Sequence, residues 1–359
     1  MNGPSVSFPM LSTASGLPSG QMARPLRLAF AGDVMLGRLV NESLAGGDYV
    51  RPWGDLLPTL WETDLFLINL ECALTVRTER WSDGGYKPFY FRADPAAVET
   101  LKRARVDFAS LANNHICDFG TAGLLDTVTT LERAGIANAG AGADRWSARE
   151  PALLTVGDTR VAVVAFADYP AEWAATPTAP GINYTPITLA REHFDEIRVA
   201  VGVARERADL VVCSTHWGPN MRTHPRPEFR DFAHALVDAG VDIFWGHSAH
   251  VVQGAEVRGG RLILYDTGDF VDDYAVDAHL RNDLSALFVV EVTPPAIECV
   301  EVIPVRIEDM RVTLAIGRDL DWFVERFGSR CAELGTTVRT DAKSLRLALP
   351  ATAGPAVTP

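Results

Sequence analysis

Five short apolar runs in this chain each stop at residues that can hold a proton or a metal ion. Residues 26–31 run into Gly32-Asp33, and 64–70 close on Asn69-Leu70-Glu71. Residues 106–112 lead into Asn113-Asn114-His115 with Asp118 just beyond, 209–215 into His216, and 241–245 into Gly246-His247 with His250 following. A brief continuous apolar run bounded by turn residues fits a strand buried on both faces, and such strands belong to parallel sheets covered by helices. The intervening stretches have helical spacing. Residues 95–105 follow Asp94 as a candidate N-cap, 120–134 stop at Gly135, and 189–207 and 228–239 (followed by Gly240) complete the alternation. Strands alternating with helices predict an α/β fold. In open parallel sheets, ligands lie beyond the carboxyl ends of the strands. The five ends would therefore deliver Asp33, Asn69, Glu71, Asn114, His115, Asp118, His216, His247 and His250 to one crevice.

The rest of the chain frames that crevice. Residues 153–156 and 160–167 form an expected hairpin about Gly157-Asp158. Residues 169–186, rich in Pro, Ala and Thr, are expected to be a long surface loop suited to a lid, and 219–227 a polar, basic loop over the site. Beyond His250 the pattern changes to antiparallel strands at 252–257, 262–265, 285–292 and 299–305, then a helix at 320–334. The two ends, 1–24 and 350–359, have the composition of disordered tails, which leaves 25–349 as a single domain.

The net charge of −13 repels nucleic acid and anionic membranes, and it disfavours an anionic substrate unless a bound cation inverts the local field. The cysteines Cys72, Cys117, Cys213, Cys299 and Cys331 are odd in number, scattered, and without a C-x-x-C pair, which argues against a disulfide framework or a zinc ribbon. The first twenty residues lack the charge-then-apolar order of a secretory leader, and the longest apolar run, 161–167, is far below a membrane span. The expected setting is the cytoplasm, and the expected partner a small molecule or peptide, anionic if a cation is present.

Taken singly, each candidate has an ordinary role: Asp33 in a turn, Asn114 as a cap, His216 in a core. Together, carboxylate, amide oxygen and imidazole suit a divalent transition metal such as Mn, Fe, Zn or Ni rather than Ca²⁺. Glu71 could bridge two ions, which would polarise a substrate oxygen and acidify a bound water. His115, outside the coordination sphere, could protonate a leaving group.

The segments Gly32-Asp33-Val34-Met35-Leu36-Gly37-Arg38, Asn69-Leu70-Glu71, Leu111-Ala112-Asn113-Asn114-His115, His216-Trp217-Gly218, Gly246-His247-Ser248-Ala249-His250 and Leu264-Tyr265-Asp266-Thr267-Gly268-Asp269-Phe270 resemble the ordered motifs of CapA-type proteins. That family is named for poly-γ-glutamate capsule synthesis and is similar to calcineurin-like phosphoesterases. The resemblance spans about 26–270 and implies a calcineurin-like metallophosphatase fold, with mixed and parallel sheets sandwiched by helices and antiparallel strands at the C-terminal end. It makes Asp33, Glu71 and His250 ligands of one metal, and Glu71, Asn114, His216 and His247 ligands of a second. It makes His115 the proton donor, with Asp118 beside it, and sets Arg38 facing the site to grip a phosphate or carboxylate.

The chain departs from the phosphoesterase pattern. Met35 replaces the histidine of Asp-x-His, Asn69-Leu70-Glu71 replaces the usual bridging aspartate with Leu74 in place of a second one, and the closing histidines are three apart. The first metal site is thus expected to be one ligand short, weak or empty, with Asp266 and Asp269 as extra carboxylates nearby. Arg222, His224 and Arg226 suit an anionic substrate, and Trp53, Trp81, Lys87, Phe89 and Tyr90 a substrate groove. Three functions fit: a metal-dependent hydrolase of a phosphoester or γ-glutamyl amide, a metal-free acid/base enzyme such as a peptide epimerase, and a non-catalytic accessory protein of poly-γ-glutamate synthesis.

Overall fold

The computed structural model describes residues 24–82, 87–341 and 344–349. The expected tails lie outside these residues except for Arg24, which forks onto Asp64. Two large sheets make the body. In the first, Leu26–Val34 lies between Leu65–Leu70, parallel to it, and Leu284–Thr293, antiparallel to it. The parallel side continues to Phe108–Ser110 and Ala137–Ala139, and the antiparallel side to Ala296–Glu308 and Leu345–Leu347. The second sheet holds the hairpin Ala152–Val156 and Thr159–Ala167, then Leu210–His216, Ile243–His247 and Arg261–Leu264 in parallel, and is closed by antiparallel Ala255–Arg258.

The two-residue period of a strand sorts side chains between layers. Val161, Val163, Leu210, Val212, Ile243, Trp245, Leu262 and Leu264 share a core with the first sheet, where Trp245 meets Phe30 edge-on at 5.5 Å between ring centroids. The alternate residues Ala162, Val164, Phe166, Val211, Cys213, Phe244 and Ile263 form a second core with Ile197 and Val201 of the helix Arg191–Arg207 and Phe232 and Leu236 of the helix Pro227–Asp238. Sheet faces sheet, and helices cover the outside. This is the expected α/β sandwich with antiparallel C-terminal strands.

Several local expectations change. The stretch 95–105 divides into a 3₁₀ turn, Pro95–Ala97, capped by the Asp94 side chain, and a short helix, Val98–Arg103. The segment 169–186 is stitched into the body: Gly181–Ile182 pairs with Ala141–Gly142, and the Asn183 amide donates to the Ala165 carbonyl. Trp53 lines no groove. It is fully buried, packs on Phe66 and Phe270, and donates its indole N–H to Thr100. A strand with no counterpart in the sequence reading, Asp269–Val271, lies parallel to the end of Leu26–Val34 and brings a further carboxylate to the site. Among the described residues, no helix is long and apolar enough to cross a membrane. All five cysteines are free, and all but Cys299 are buried.

Candidate metal and acid–base site

Strand register builds the site. Asp33 sits opposite Asn69 on one side and Asp269 on the other. His216 and His247 are register partners at the ends of adjacent strands in the facing sheet. His250 follows on a turn in which it takes a left-handed backbone (φ 61°), held where Asp266 accepts the backbone N–H of Ala249 at 2.7 Å. The first strand can end against this turn because Gly32 has no side chain. A Cβ there would lie 1.7 Å from the Gly268 carbonyl oxygen.

Two clusters result, sharing Asp33. In one, Asp33, His216 and His247 offer atoms within 4.8 Å of one another, and in the other so do Asp33, Glu71, His250 and Asp269. His216 Nδ1 lies 2.9 Å from His247 Nδ1, its Nε2 lies 3.2 Å from Asn114 Oδ1, and Ser214 Oγ reaches His247 Nε2 at 2.9 Å. His250 Nδ1 lies 2.8 Å from Asp269 Oδ1 and 3.4 Å from Asp33 Oδ2. Glu71 Oε1 lies 3.9 Å from His216 Nε2 and 4.0 Å from His115 Nε2, and Tyr274 donates its hydroxyl to Glu71 Oε2 at 3.2 Å. Asp33 is common to both clusters, and Glu71, the shared ligand that the resemblance implies, also lies beside both. Asn69 serves as a strut, donating to Asp33 Oδ1 at 2.7 Å and accepting from Asn113.

Burial governs the charges. It drives His216 far below the ordinary imidazole value against the pull of Asp33, and takes His247 down to about 4. It drives Glu71 well above the carboxylate range, helped by Asp33, and does the same to Asp269. Burial alone would raise Asp33 and lower His250. Contact with His250 and the imidazole charges instead bring Asp33 down to about 2, while Asp269, Glu71 and Asp33 hold His250 well above its usual value. Asp266, buried near Asp33, rises to about 8.

At the two clusters, three buried carboxylate oxygens, Asp33 Oδ2, Glu71 Oε1 and Asp269 Oδ2, accept no hydrogen bond among the described residues. Buried acceptors normally find a donor. Orphaned carboxylate oxygens clustered with imidazoles, of which burial favours the neutral form at His216 and His247, are the donor set of a divalent transition metal, so the residues present fit such an ion. Asp269 adds a fourth group to the cluster of Asp33, Glu71 and His250, in which Met35 stands where the phosphoesterase pattern has a histidine.

Beside the clusters stands a dyad. His115 Nδ1 is 2.7 Å from Asp118 Oδ2, and its ring stacks on Phe91 at 4.0 Å between centroids. Asp118 also accepts the Phe91 backbone N–H at 2.6 Å and pairs with Lys87 at 2.9 Å. Burial takes His115 below its ordinary value, with Asp118 opposing. Lys87, which also caps the Asn114 carbonyl and lies 4.8 Å over the Trp173 ring, therefore braces the dyad from behind. Arg38 is not drawn into either cluster. It is exposed, takes a left-handed backbone (φ 53°), pairs with Asp273 at 3.3 Å, and lies over Phe89 and Phe91. Trp81 packs on Trp173, Tyr90 donates to the Trp81 carbonyl, and Phe89 stays more than half exposed. Reasoning from strand ends missed Ser214 and Tyr274. Ser214 could have been found by counting two residues back from His216 on the same strand face. Nothing in the sequence around Tyr274 points to Glu71.

The family model described as "Bacterial capsule synthesis protein PGA_cap" matches residues 27–274. A Mycobacterium tuberculosis protein named as a probable polyglutamine synthesis accessory protein is 36% identical over 323 residues, covering 85% of this chain and 82% of its own length. The capsule biosynthesis protein CapA of Bacillus anthracis is 32% identical over 275 residues, covering 73% of this chain and 66% of its own. Among solved structures, a purple acid phosphatase from yellow lupin overlaps with a TM-score of 0.38 and 8% identity, covering 82% of this chain and 53% of that one. An overlap so partial is no evidence about chemistry.

Proposed function

On the premise that this chain belongs to the PGA_cap family of bacterial capsule synthesis proteins, we propose that it is a metal-dependent hydrolase of an amide or phosphoester, with a γ-glutamyl linkage as the favoured substrate. The observation that carries this reading is the set of three orphaned, buried carboxylate oxygens on Asp33, Glu71 and Asp269. Asp33, Glu71, His250 and Asp269 would hold one ion, and Asp33, His216 and His247, with Asn114 at hand, a second. When bound there, a divalent transition metal supplies Lewis-acid polarisation of the scissile group and an acidified water.

The chain's own residues do the rest. Asp118 fixes the His115 ring with the proton on Nδ1 and leaves Nε2 facing the Glu71 side of the crevice. Because burial keeps that imidazole neutral near neutrality, Nε2 is poised to accept a proton first and hand it to the leaving group second. Phe91 excludes water from one ring face. Asn69 and Ser214 hold Asp33 and His247 in place. The relatives' name as accessory proteins favours a second reading, in which the same site binds a γ-glutamyl chain without cleaving it.

Elemental analysis of the full chain beside His216→Ala tests the proposal. One or two transition-metal ions per chain, lost from the variant, with release of glutamate or phosphate from model substrates, is the expected result. A protein that takes up no Mn²⁺, Fe²⁺ or Zn²⁺ sinks it and leaves metal-free proton exchange on a peptide as the reading to pursue.

A further inference from the structure

Glu71 stands where the two clusters and the His115–Asp118 dyad meet, and its carboxylate is held from one side. The one hydrogen bond its side chain accepts among the described residues comes from the Tyr274 hydroxyl, 3.2 Å from Oε2. The other oxygen, Oε1, accepts none and lies 3.9 Å from His216 Nε2 and 4.0 Å from His115 Nε2, both too far for a hydrogen bond. We propose that Tyr274 is a positioning residue for the metal site. Its hydroxyl engages Oε2, so Glu71 meets an ion through Oε1 alone, the oxygen that faces His216 and His115. The inference rests on the reading of the clusters as a metal site, and it adds to them a residue that belongs to neither.

The phenol is fixed on three sides. Its ring meets His250 edge-on at 5.3 Å between centroids and lies tilted on Phe91 at 5.6 Å, and Phe91 in turn stacks on His115. The Tyr274 backbone N–H donates to Asp272 Oδ1 at 2.7 Å. Asp272 is buried and directly follows the strand Asp269–Val271, where the Val271 carbonyl accepts the Met35 backbone N–H at 2.8 Å. The ring thus takes its place from the same short strand that delivers Asp269. It touches one proposed ligand, Glu71, through its hydroxyl and another, His250, through its ring.

Glu71 needs such a partner. The last torsion of a glutamate side chain is broad and roughly two-fold, so the side chain by itself does not choose between offering an ion one oxygen or two. The hydrogen bond from Tyr274 makes that choice. It also keeps Oε1 at the junction of His216 and His115. Partners that orient a ligating carboxylate from behind matter to affinity, and their loss typically costs about 10–100-fold.

Tyr274→Phe removes the hydroxyl and keeps the ring that packs on His250 and Phe91. Wild type and variant, as full chains stripped with a chelator, are titrated with Co²⁺ and compared by calorimetry and visible absorption. The variant should bind about 10–100-fold more weakly. Its visible band should also weaken, because a second oxygen from Glu71 raises the coordination number. The melting temperature in chelator should change little, which separates the lost hydrogen bond from a lost fold. A further measurement needs no variant. Glu71 is the one glutamate in either cluster, so in wild type labelled with ¹³C-glutamate the infrared bands that shift with the label on Co²⁺ binding belong to it. They should show the wide splitting of a carboxylate bound through one oxygen. A narrow splitting in wild type, or a variant with unchanged affinity and spectrum, overturns the role of Tyr274 and leaves the metal reading intact. A wild type that takes up no Co²⁺ overturns both.

Discussion

Asp33, Glu71 and Asp269 each bury a carboxylate oxygen that accepts no hydrogen bond among the described residues, Asp33 Oδ2 having only His250 Nδ1 at 3.4 Å. One such group costs about 1–3 kcal/mol, and more when charged. The cost is limited because burial raises the proton affinity of Glu71 and Asp269, and the surrounding carboxylates raise that of His250. A metal must displace the protons so held. Metal affinity should therefore rise with pH, by up to about tenfold per pH unit for each proton released. Titration calorimetry in two buffers of different ionisation enthalpy should show the released protons directly, and a pH-independent affinity would contradict the assignment.

Asp168 offers a cleaner case, since it ligates nothing. Burial lifts it to about 6 from 3.8 although it accepts the Gly218 backbone N–H at 3.0 Å. Its folded value lies above its unfolded one, so its contribution is fully present below about pH 4 and is lost as pH rises through about 6. Asparagine carries no such proton. Across pH 4 to 7 the unfolding free energy of Asp168→Asn should gain about 2 kcal/mol relative to wild type, after allowance for partial solvent screening. Paired urea denaturation curves at the two pH values would measure it.

Backbone crowding, more than side-chain chemistry, decides how closely the strand ends approach. At Gly32 an added methyl would collide with the Gly268 carbonyl, whereas at Gly202, exposed on the helix Arg191–Arg207, it would meet nothing within 4 Å. Gly32→Ala should lose about 3 kcal/mol or more along with metal binding, and Gly202→Ala should gain about 0.5–1 kcal/mol. Thermal melts with elemental analysis distinguish the two. The five strand ends could be read in the sequence because their strands are continuous apolar runs, a signal local to each run. Asp269–Val271 escaped that signal: it has three residues, the first of them an aspartate, and exists as a strand only because Leu26–Val34 lies alongside. Trp53 was misread for the reverse reason. An aromatic residue near polar ones gives no direction until Phe66, Phe270 and Thr100 close round it. The sharing of Asp33 between clusters is likewise a matter of register, which depends on where the opposing strand stops.

The clusters also join the halves of the molecule. Asp33, Glu71 and Asp269 come from the first sheet and the loop beyond it, His216 and His247 from the second, and elsewhere the sheets meet through apolar contacts such as Phe30 on Trp245 and through the buried hydrogen bond from Ser214 to Ser110. Occupying the site should therefore stabilise the whole fold. At a metal concentration about 100 times the dissociation constant, the gain is about 2.7 kcal/mol. Melting with Mn²⁺ or Zn²⁺ against a chelator should show that rise, and His216→Ala should abolish most of it. If wild type and variant shift equally, the ion is binding elsewhere.

Asp33 and Asp269 lie on neighbouring strands although more than two hundred residues of chain separate them. During synthesis the first aspartate leaves the ribosome long before the second, and the strand Leu26–Val34 waits even longer for its antiparallel neighbour, Leu284–Thr293. For most of its time on the ribosome, the nascent chain carries an unpaired strand edge and a half-made metal site. On the proposed reading, the set Asp33, Glu71, His250 and Asp269 is complete only once Asp269 has emerged, so a metal would load there near the end of translation.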